Sequence, residues 1–302
     1  MSNSKKPRLT AADFDPEVLR LFDQYVHGGI DRRGFLDRAS RYAVAGGTTA
    51  AGLLAALSPD FAGAQQVAPG DARIKGEHLE FDSPSGYGKG RAYVVRPARA
   101  AGALPVVLVA HENRGLNPHI EDIARRLALE NFIAVAPDAL FPLGGYPGDE
   151  DKARERFAQL DAAKTREDFV SAAKWARGLS GGNGRLGAVG FCWGGGAVNV
   201  LATRVPELVA AAPFYGPAPA LDQVKNIKAR MLLVFAENDE RINASWPPYE
   251  SALKEAGVRY EAYKYPGTQH GFNNDTTPRF DEAAARQAWG RTLALFNATL
   301  RA

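Results

Sequence analysis

From residue 78 onward the chain alternates short apolar runs with longer stretches whose apolar positions recur every three or four residues. The first pattern predicts strands and the second amphipathic helices. Leu79–Phe81 and Arg91–Val95 are β-like runs on either side of a Ser-Pro-Ser-Gly-Tyr-Gly turn, an antiparallel opening. Leu104–Ala110 is continuously apolar and rich in valine, the signature of a strand buried on both faces. A helix follows, with Asn117 as its cap, Pro118 in its first turn, and Ile120, Ile123, Ala124 and Leu127 on one face. Further strands are expected at Phe132–Ala136, Leu186–Phe191, Val209–Phe214, Met231–Ala236 and Tyr260–Tyr265. Helices are expected at 149–162, 165–179, 193–204, near 246–256, and at 281–299, where Ala288, Leu293, Leu295 and Phe296 are core candidates. Repeated strand-helix-strand order predicts an α/β fold, a mostly parallel sheet with helices on both faces. Sites in such sheets lie beyond the carboxyl ends of the strands.

The first 64 residues follow a different pattern. Asp31-Arg32-Arg33-Gly34-Phe35-Leu36 places two arginines before an aromatic-aliphatic pair. A mild Ala/Gly/Thr-rich stretch, Ala43–Leu57, comes next, then the small-x-small pattern Ala62-Gly63-Ala64. In this order the three parts resemble a twin-arginine export signal. That resemblance implies the export machinery as a partner and a periplasmic or secreted location. It divides the chain into a signal and N-terminal extension (1–64) and a domain (65–302). Phe14–Val26, ahead of the arginines, looks helical, so the extension could dock on the domain and be retained. The plain alternative is an amphipathic helix and an Ala/Gly linker in a cytoplasmic protein.

Composition narrows the function. The 302 residues carry 37 Lys+Arg against 34 Asp+Glu, which lacks the basic excess of a nucleic-acid binder. The apolar stretches are too short or too mild for stable membrane insertion. The single cysteine, Cys192, excludes an intrachain disulfide and any zinc cluster built on several cysteines. His111-Glu112 does not continue to H-E-x-x-H, because Gly115 stands at the second histidine position. No metal and no cofactor are therefore expected.

Three strand ends carry chemistry. Gly190-Phe191-Cys192-Trp193-Gly194 lies at a strand-helix junction, where flanking glycines permit a tight turn. The helix N-terminus favours a thiolate there, and the Trp193 N–H is placed to face an oxyanion. A buried, inert cysteine is the simpler reading of that motif alone. Asp239 follows the strand at 231–236, with Glu237 and Glu240 as neighbouring competitors. His270 sits beyond the strand at 260–265. Nucleophile, acid and histidine occur in the chain order of α/β-hydrolases.

Several segments resemble the dienelactone hydrolase family: His111-Glu112-Asn113-Arg114-Gly115-Leu116-Asn117-Pro118-His119-Ile120, Ala136-Pro137-Asp138, Gly190–Gly195, Phe214-Tyr215-Gly216 and Tyr265–Phe272. The likeness covers roughly residues 75–300. It implies the α/β-hydrolase fold and a Cys192, Asp239, His270 triad. It also implies that Glu112 holds the resting thiol proton and that the Asn113 N–H is the second oxyanion donor. The pattern departs in two places. Arg114 stands where the family's best-characterised type has Phe-like bulk, and Asn274 stands where that type has a carboxylate-binding arginine. Arg154, Arg156 and Arg279 are candidate replacements for that arginine. Tyr215 and Trp246 are candidate pocket walls. The resulting expectation is a carboxylic ester or lactone hydrolase, carboxymethylenebutenolidase-like, acting on a small molecule through a thioester. Thioesterase or peptidase action on the same triad, and a non-catalytic binding protein on the same scaffold, are the competing expectations. Oligomeric state is left open as monomer or dimer.

Overall fold

The structure, a computed structural model, describes residues 8–45 and 47–301; residues 1–7 and Gly46 of the expected 1–64 segment lie outside the described residues. The N-terminal part is helical: α1 (Pro16–Val26), α2 (Arg32–Ala45), α3 (Ala50–Leu57) and α4 (Phe61–Ala64). An antiparallel pair follows, β1 (Ile74–Ser83) and β2 (Gly88–Pro97). The alternating unit then runs β3 (Leu104–Ala110), α5 (Pro118–Leu129), β4 (Ile133–Pro137), α6 (Glu150–Ala158), α7 (Ala162–Arg177), β5 (Gly182–Phe191) and α8 (Trp193–Arg204). It closes with β6 (Leu208–Phe214), β7 (Arg230–Asn238), α9 (Glu240–Asn243), α10 (Trp246–Glu255), β8 (Tyr260–Gln269) and α11 (Glu282–Leu300). These make one eight-stranded sheet in the order β1-β2-β4-β3-β5-β6-β7-β8. β2 pairs antiparallel with β1 and β4, and every other pairing is parallel. Two apolar cores fill the two faces, α5 and α11 covering one, α7, α8 and α10 the other. This is the mostly parallel, helix-covered α/β sheet that the alternation predicted.

The ends of the elements follow their caps. Asn117 accepts from the Ile120 N–H at 3.2 Å and starts α5. The helical stretch expected to run unbroken through 162 ends at Ala158, because Asp161 accepts from the N–H groups of Ala163 and Lys164 and starts a new helix. β1 and β5 reach further toward their N-termini than the apolar runs indicate. Ladder pairing carries them through exposed polar residues, which pattern reading assigns to loops.

Residues 8–64 form a layer with its own core of Val18, Leu21, Phe22, Tyr25, Phe35, Leu54 and Leu57. Asp15 accepts from Glu17 N and Pro16 sits in the first turn, fixing the start of α1. The layer rests on the α/β body through polar contacts. Arg32 pairs with Asp151 at 2.6 Å, Tyr25 donates to the same carboxylate, and the Asp60 N–H donates to the Thr276 carbonyl at 2.8 Å. Among the described residues no helix is long and apolar enough to cross a membrane.

The start of α8 is wedged between strand ends. A Cβ on Gly194 would overlap the carbonyl oxygens of Ala110 and His111, and one on Gly195 would overlap that of Phe214. Those atoms belong to the sheet and cannot give way. Gly194→Ala should therefore cost about 3 kcal/mol or more, at the upper end of overpacking penalties. Gly290, in α11, has nothing within 4 Å of its would-be Cβ, so Gly290→Ala should instead stabilise by about 0.5–1 kcal/mol. Urea denaturation of the two variants checks the opposite signs.

Candidate active site

Cys192 occupies the turn between β5 and α8 with φ 56° and ψ −115°, a conformation that a side chain-bearing residue rarely holds. Its N–H donates to the Phe214 carbonyl at 3.1 Å, and tight glycine packing behind it leaves no slack. The turn lifts Sγ to the sheet's carboxyl edge at the N-terminus of α8. Asp239 directly follows β7 and caps α9 through Ile242 N. Its Oδ2 lies 2.5 Å from His270 Nδ1, beyond β8. Both side chains are buried, and His270 Nε2 has no hydrogen-bond partner. The three residues read from the three strand ends thus converge.

A second histidine meets the same sulfur. His27, the residue that ends α1, places Nε2 3.4 Å from Cys192 Sγ. Its ring lies edge-on to that of His270, with centroids 4.7 Å apart. Its Nδ1 faces Asp23, 3.2 Å from Oδ1 and 2.8 Å from the backbone carbonyl one helical turn earlier. Two Asp–His dyads, Asp239–His270 and Asp23–His27, therefore flank one cysteine. His27 and Asp23 were not singled out in the sequence. The signal for them was that one of only five histidines directly follows a helix with a strong apolar face.

The electrostatics follow from this geometry. Burial pushes the Cys192 thiol up, but the imidazoliums of His270 and His27 outweigh it and bring the thiol down to about 6. Burial opposes protonation of both histidines. The thiolate and the partnered carboxylates reverse that effect, raising His27 to about 10 and His270 above its ordinary value. Asp23, between His27 and Arg279, is held well below the usual carboxylate range despite its burial. Arg241 Nη2 lies 3.1 Å from His27 Nε2. The exposed guanidinium thus faces the same ring nitrogen that faces the thiol, and it can donate there only while His27 Nε2 carries no proton.

His27 also divides the space around Cys192. A cavity of about 370 Å³ lies on one side, reaching Cys192, His270, Glu112, Arg114 and Arg279, with Phe22, Tyr25 and Leu54 of the N-terminal layer as its roof. A second, of about 330 Å³, lies on the other side against Trp193, Phe157, Arg154 and Arg241. Glu112 stands in the first cavity, where its Oε2 accepts from Asn274 Nδ2 at 2.9 Å. The neighbour within hydrogen-bonding reach of the thiol is His27. Asn113 borders both cavities and donates its side-chain amide to the Val26 carbonyl at 2.8 Å. Trp193 stacks on His111 at 5.4 Å.

The candidate substrate-binding residues separate into two groups. Arg279 and Arg154 reach the cavities, yet the N-terminal layer already engages both. Arg279 Nη1 lies 3.4 Å from Asp23, and Arg154 donates to the Tyr25 carbonyl while lying over its ring. The other three do not form cavity wall. Arg156 turns away to donate to the Gly145 carbonyl at 3.0 Å. Tyr215 is fully buried beneath His270, with ring centroids 5.0 Å apart. Trp246 packs against Phe235. Arg114, noted only as a departure, lines the first cavity and contacts Asn113 and Glu150.

Comparison with known proteins identifies the family and the fold. The Dienelactone hydrolase family matches residues 91–300. The chain belongs to that family. A further family, described as YqhI-like, matches residues 5–45. A Salmonella typhi protein named "Putative carboxymethylenebutenolidase" is 35% identical over 220 residues, covering 68% of this chain and 81% of that protein. An Escherichia coli (strain K12) "Putative hydrolase fragment YghX" is 50% identical over 113 residues, 37% of this chain and 97% of that one. The crystal structure of a Klebsiella pneumoniae protein named "Putative Dienelactone Hydrolase" superposes with a TM-score of 0.64 at 30% identity, covering 74% of this chain and 98% of that one. The dienelactone hydrolase relationship makes this chain a hydrolase of the α/β class.

Two pH effects follow. A thiol reacts as its thiolate, so alkylation of Cys192 by a small neutral reagent in metal-free buffer should rise through a midpoint near 6 rather than 9. His27→Ala removes one of the two cations and should move that midpoint upward by one to two units, on the order of 1.4 kcal/mol each. The same pair ties docking of the N-terminal layer to pH. His27, raised from 6.5 to about 10, contributes fully below 6.5 and loses its contribution as pH rises through 10. The thiol, brought to about 6 by His270 first and His27 second, offers its negative charge to His27 at higher pH and loses it as pH falls through 6. Protection of residues 8–64 from limited proteolysis should therefore be greatest between about 6 and 10.

Proposed function

We propose that this hydrolase cleaves small, uncharged carboxylic esters or lactones through a thioester on Cys192. The observation that carries the reading is the buried Asp239–His270 pair beside a thiol in a strained turn at a strand-helix junction. In the proposed cycle the Cys192 thiolate attacks the acyl carbon, with the oxyanion received by the N–H groups of Asn113 and Trp193. The C–O bond breaks, and the alkoxide takes the His270 proton. Neutral His270 then draws a proton from water. The hydroxide attacks the thioester, the C–S bond breaks, and the thiolate and imidazolium return. None of these steps calls for a cofactor. The same triad could serve thioesters or peptides, which a substrate panel separates. Glu112, bonded to Asn274, acts in this reading on the cavity's polarity beside the thiol.

The preference for uncharged substrates comes from the arginines. Arg279 is paired with Asp23, and Arg114 lies 3.7 Å from Glu150. With the N-terminal layer in place, neither guanidinium is unpaired for a substrate carboxylate. For location, we propose export by the twin-arginine route with residues 8–64 retained. The order of the motif supports it, and its arginines open α2 at the edge of the docked layer. Recognition by the export machinery then requires that layer to lift, because Phe35 is shut inside its core. Periplasmic fractionation of the full-length chain, lost on changing Arg32 and Arg33 to Lys, is the expected result; a purely cytoplasmic protein overturns it.

Cys192→Ala should lower hydrolysis of p-nitrophenyl acetate by at least about 10³-fold, and Asp239→Asn by a comparable factor. Retained turnover in the Cys192 variant would sink the mechanism. A half-ester bearing a free carboxylate should be hydrolysed at least about tenfold more slowly than its neutral analogue, a difference of roughly 1.4 kcal/mol.

A further inference from the structure

We propose that Cys192, His27 and His270 form a binding site for a borderline-soft divalent cation, Zn²⁺ foremost. One thiolate and two imidazoles are a donor set that zinc accepts. Their ligand atoms lie within 4.8 Å of one another. In a tetrahedral site with a sulfur ligand at about 2.3 Å and a nitrogen ligand at about 2.0 Å, the two ligands stand about 3.5 Å apart. His27 Nε2 and Cys192 Sγ are 3.4 Å apart already. His270 supplies an independent sign: its Nε2 is buried and has no partner, while its side chain is 95% enclosed.

The outer shell is also in place. Metal-bound histidines commonly donate their other ring N–H to a carboxylate, which fixes the tautomer and raises ligand basicity. Asp239 stands 2.5 Å from His270 Nδ1, and Asp23 stands 3.2 Å from His27 Nδ1. Both histidines thus direct Nε2 to the same point. Three protein ligands leave a fourth position, and the cavity of about 370 Å³ opens there. His27 comes from the N-terminal layer and the other two ligands from the hydrolase body, so an ion would also staple the layer down.

The step balances without redox change. The ion forms bonds to Sγ and to two Nε2 atoms, and any protons on those atoms pass to solvent. Exposed Arg241, whose Nη2 lies 3.1 Å from His27 Nε2, gives up that contact when the ion binds. The sulfur lone pair that would attack an acyl carbon is then held by the ion, so the metal-loaded protein does not form the thioester. The site rests on ligand geometry and stands whether or not the esterase reading does.

The test is a titration of the purified, metal-free full chain with Co²⁺, followed by displacement with Zn²⁺. One equivalent should produce a thiolate-to-cobalt band in the near ultraviolet together with visible bands of tetrahedral cobalt. Cys192→Ser should remove the near-ultraviolet band. His27→Ala should weaken binding at least about 100-fold, and Asp23→Asn about 10–100-fold, the range for losing an outer-shell partner. Circular dichroism reports whether each variant is folded. If His27→Ala fails to fold, His27→Gln and Asp23→Asn decide the question. Absence of the thiolate band in folded wild-type protein overturns the proposal. So does unchanged affinity in the folded His27 variants. Ester hydrolysis by metal-free protein is measured separately, so either reading can fail alone.

Discussion

The architecture depends on one tight place, the turn at Cys192. Its left-handed backbone stores strain of about 1–3 kcal/mol, which the surroundings must over-determine. They do so by crowding. The Cys192 N–H is tied to the end of β6, and Gly194 and Gly195 let α8 press on the ends of β3 and β6. No side chain fits between helix and sheet there. The consequence is that Sγ has one position, and the loops after β7 and β8 can be built to meet it. Had α8 packed a methyl group further away, the dyad of Asp239 and His270 would face a sulfur that is out of reach.

The parts of this arrangement that the sequence made legible are those with a local cause. Leu104–Ala110 reads as a doubly buried strand because every position is apolar, and it is one. Cys192 and His270 could be proposed because a parallel sheet delivers its strand ends to a single edge, whereas the choice of Asp239 over Glu237 and Glu240 came from the family resemblance. Arg156, Tyr215 and Trp246 could not be sorted into wall or core that way. Which way a side chain turns from a helix or loop depends on neighbours distant in sequence: Gly145 holds Arg156, and Phe235 holds Trp246. The break between α6 and α7 was expected a few residues too late, because the cap at Asp161 starts α7 ahead of the point where the polar helical pattern changes.

His27 shows the same limit more sharply. Its partner Cys192 is 165 positions away, and nothing in a Tyr-Val-His-Gly-Gly stretch distinguishes a ligand from a helix end. What places it is the amphipathic face of α1. Burying Val18, Leu21, Phe22 and Tyr25 within the layer fixes the helix axis, and Tyr25 and Arg32 converging on Asp151 fix its position over the cavity. The end of α1 must then point into the site. Apolar packing therefore does the aiming, and the histidine only had to stand at the last turn.

That layer changes what the hydrolase body can do. Without it, Arg154, Arg114 and Arg279 would face an open cleft and offer an anionic substrate three guanidiniums. With it, two main-chain carbonyls, from Tyr25 and Val26, and the Asp23 carboxylate occupy those donors, and His27 splits the cleft into two chambers. The contacts are mainly polar, and the exposed Arg32–Asp151 pair among them contributes about 1 kcal/mol or less. The thiolate is the group that feels the difference most. It has two flanking cations when the layer is down and one when it is up, so nucleophile chemistry and layer position are two readings of a single electrostatic pair.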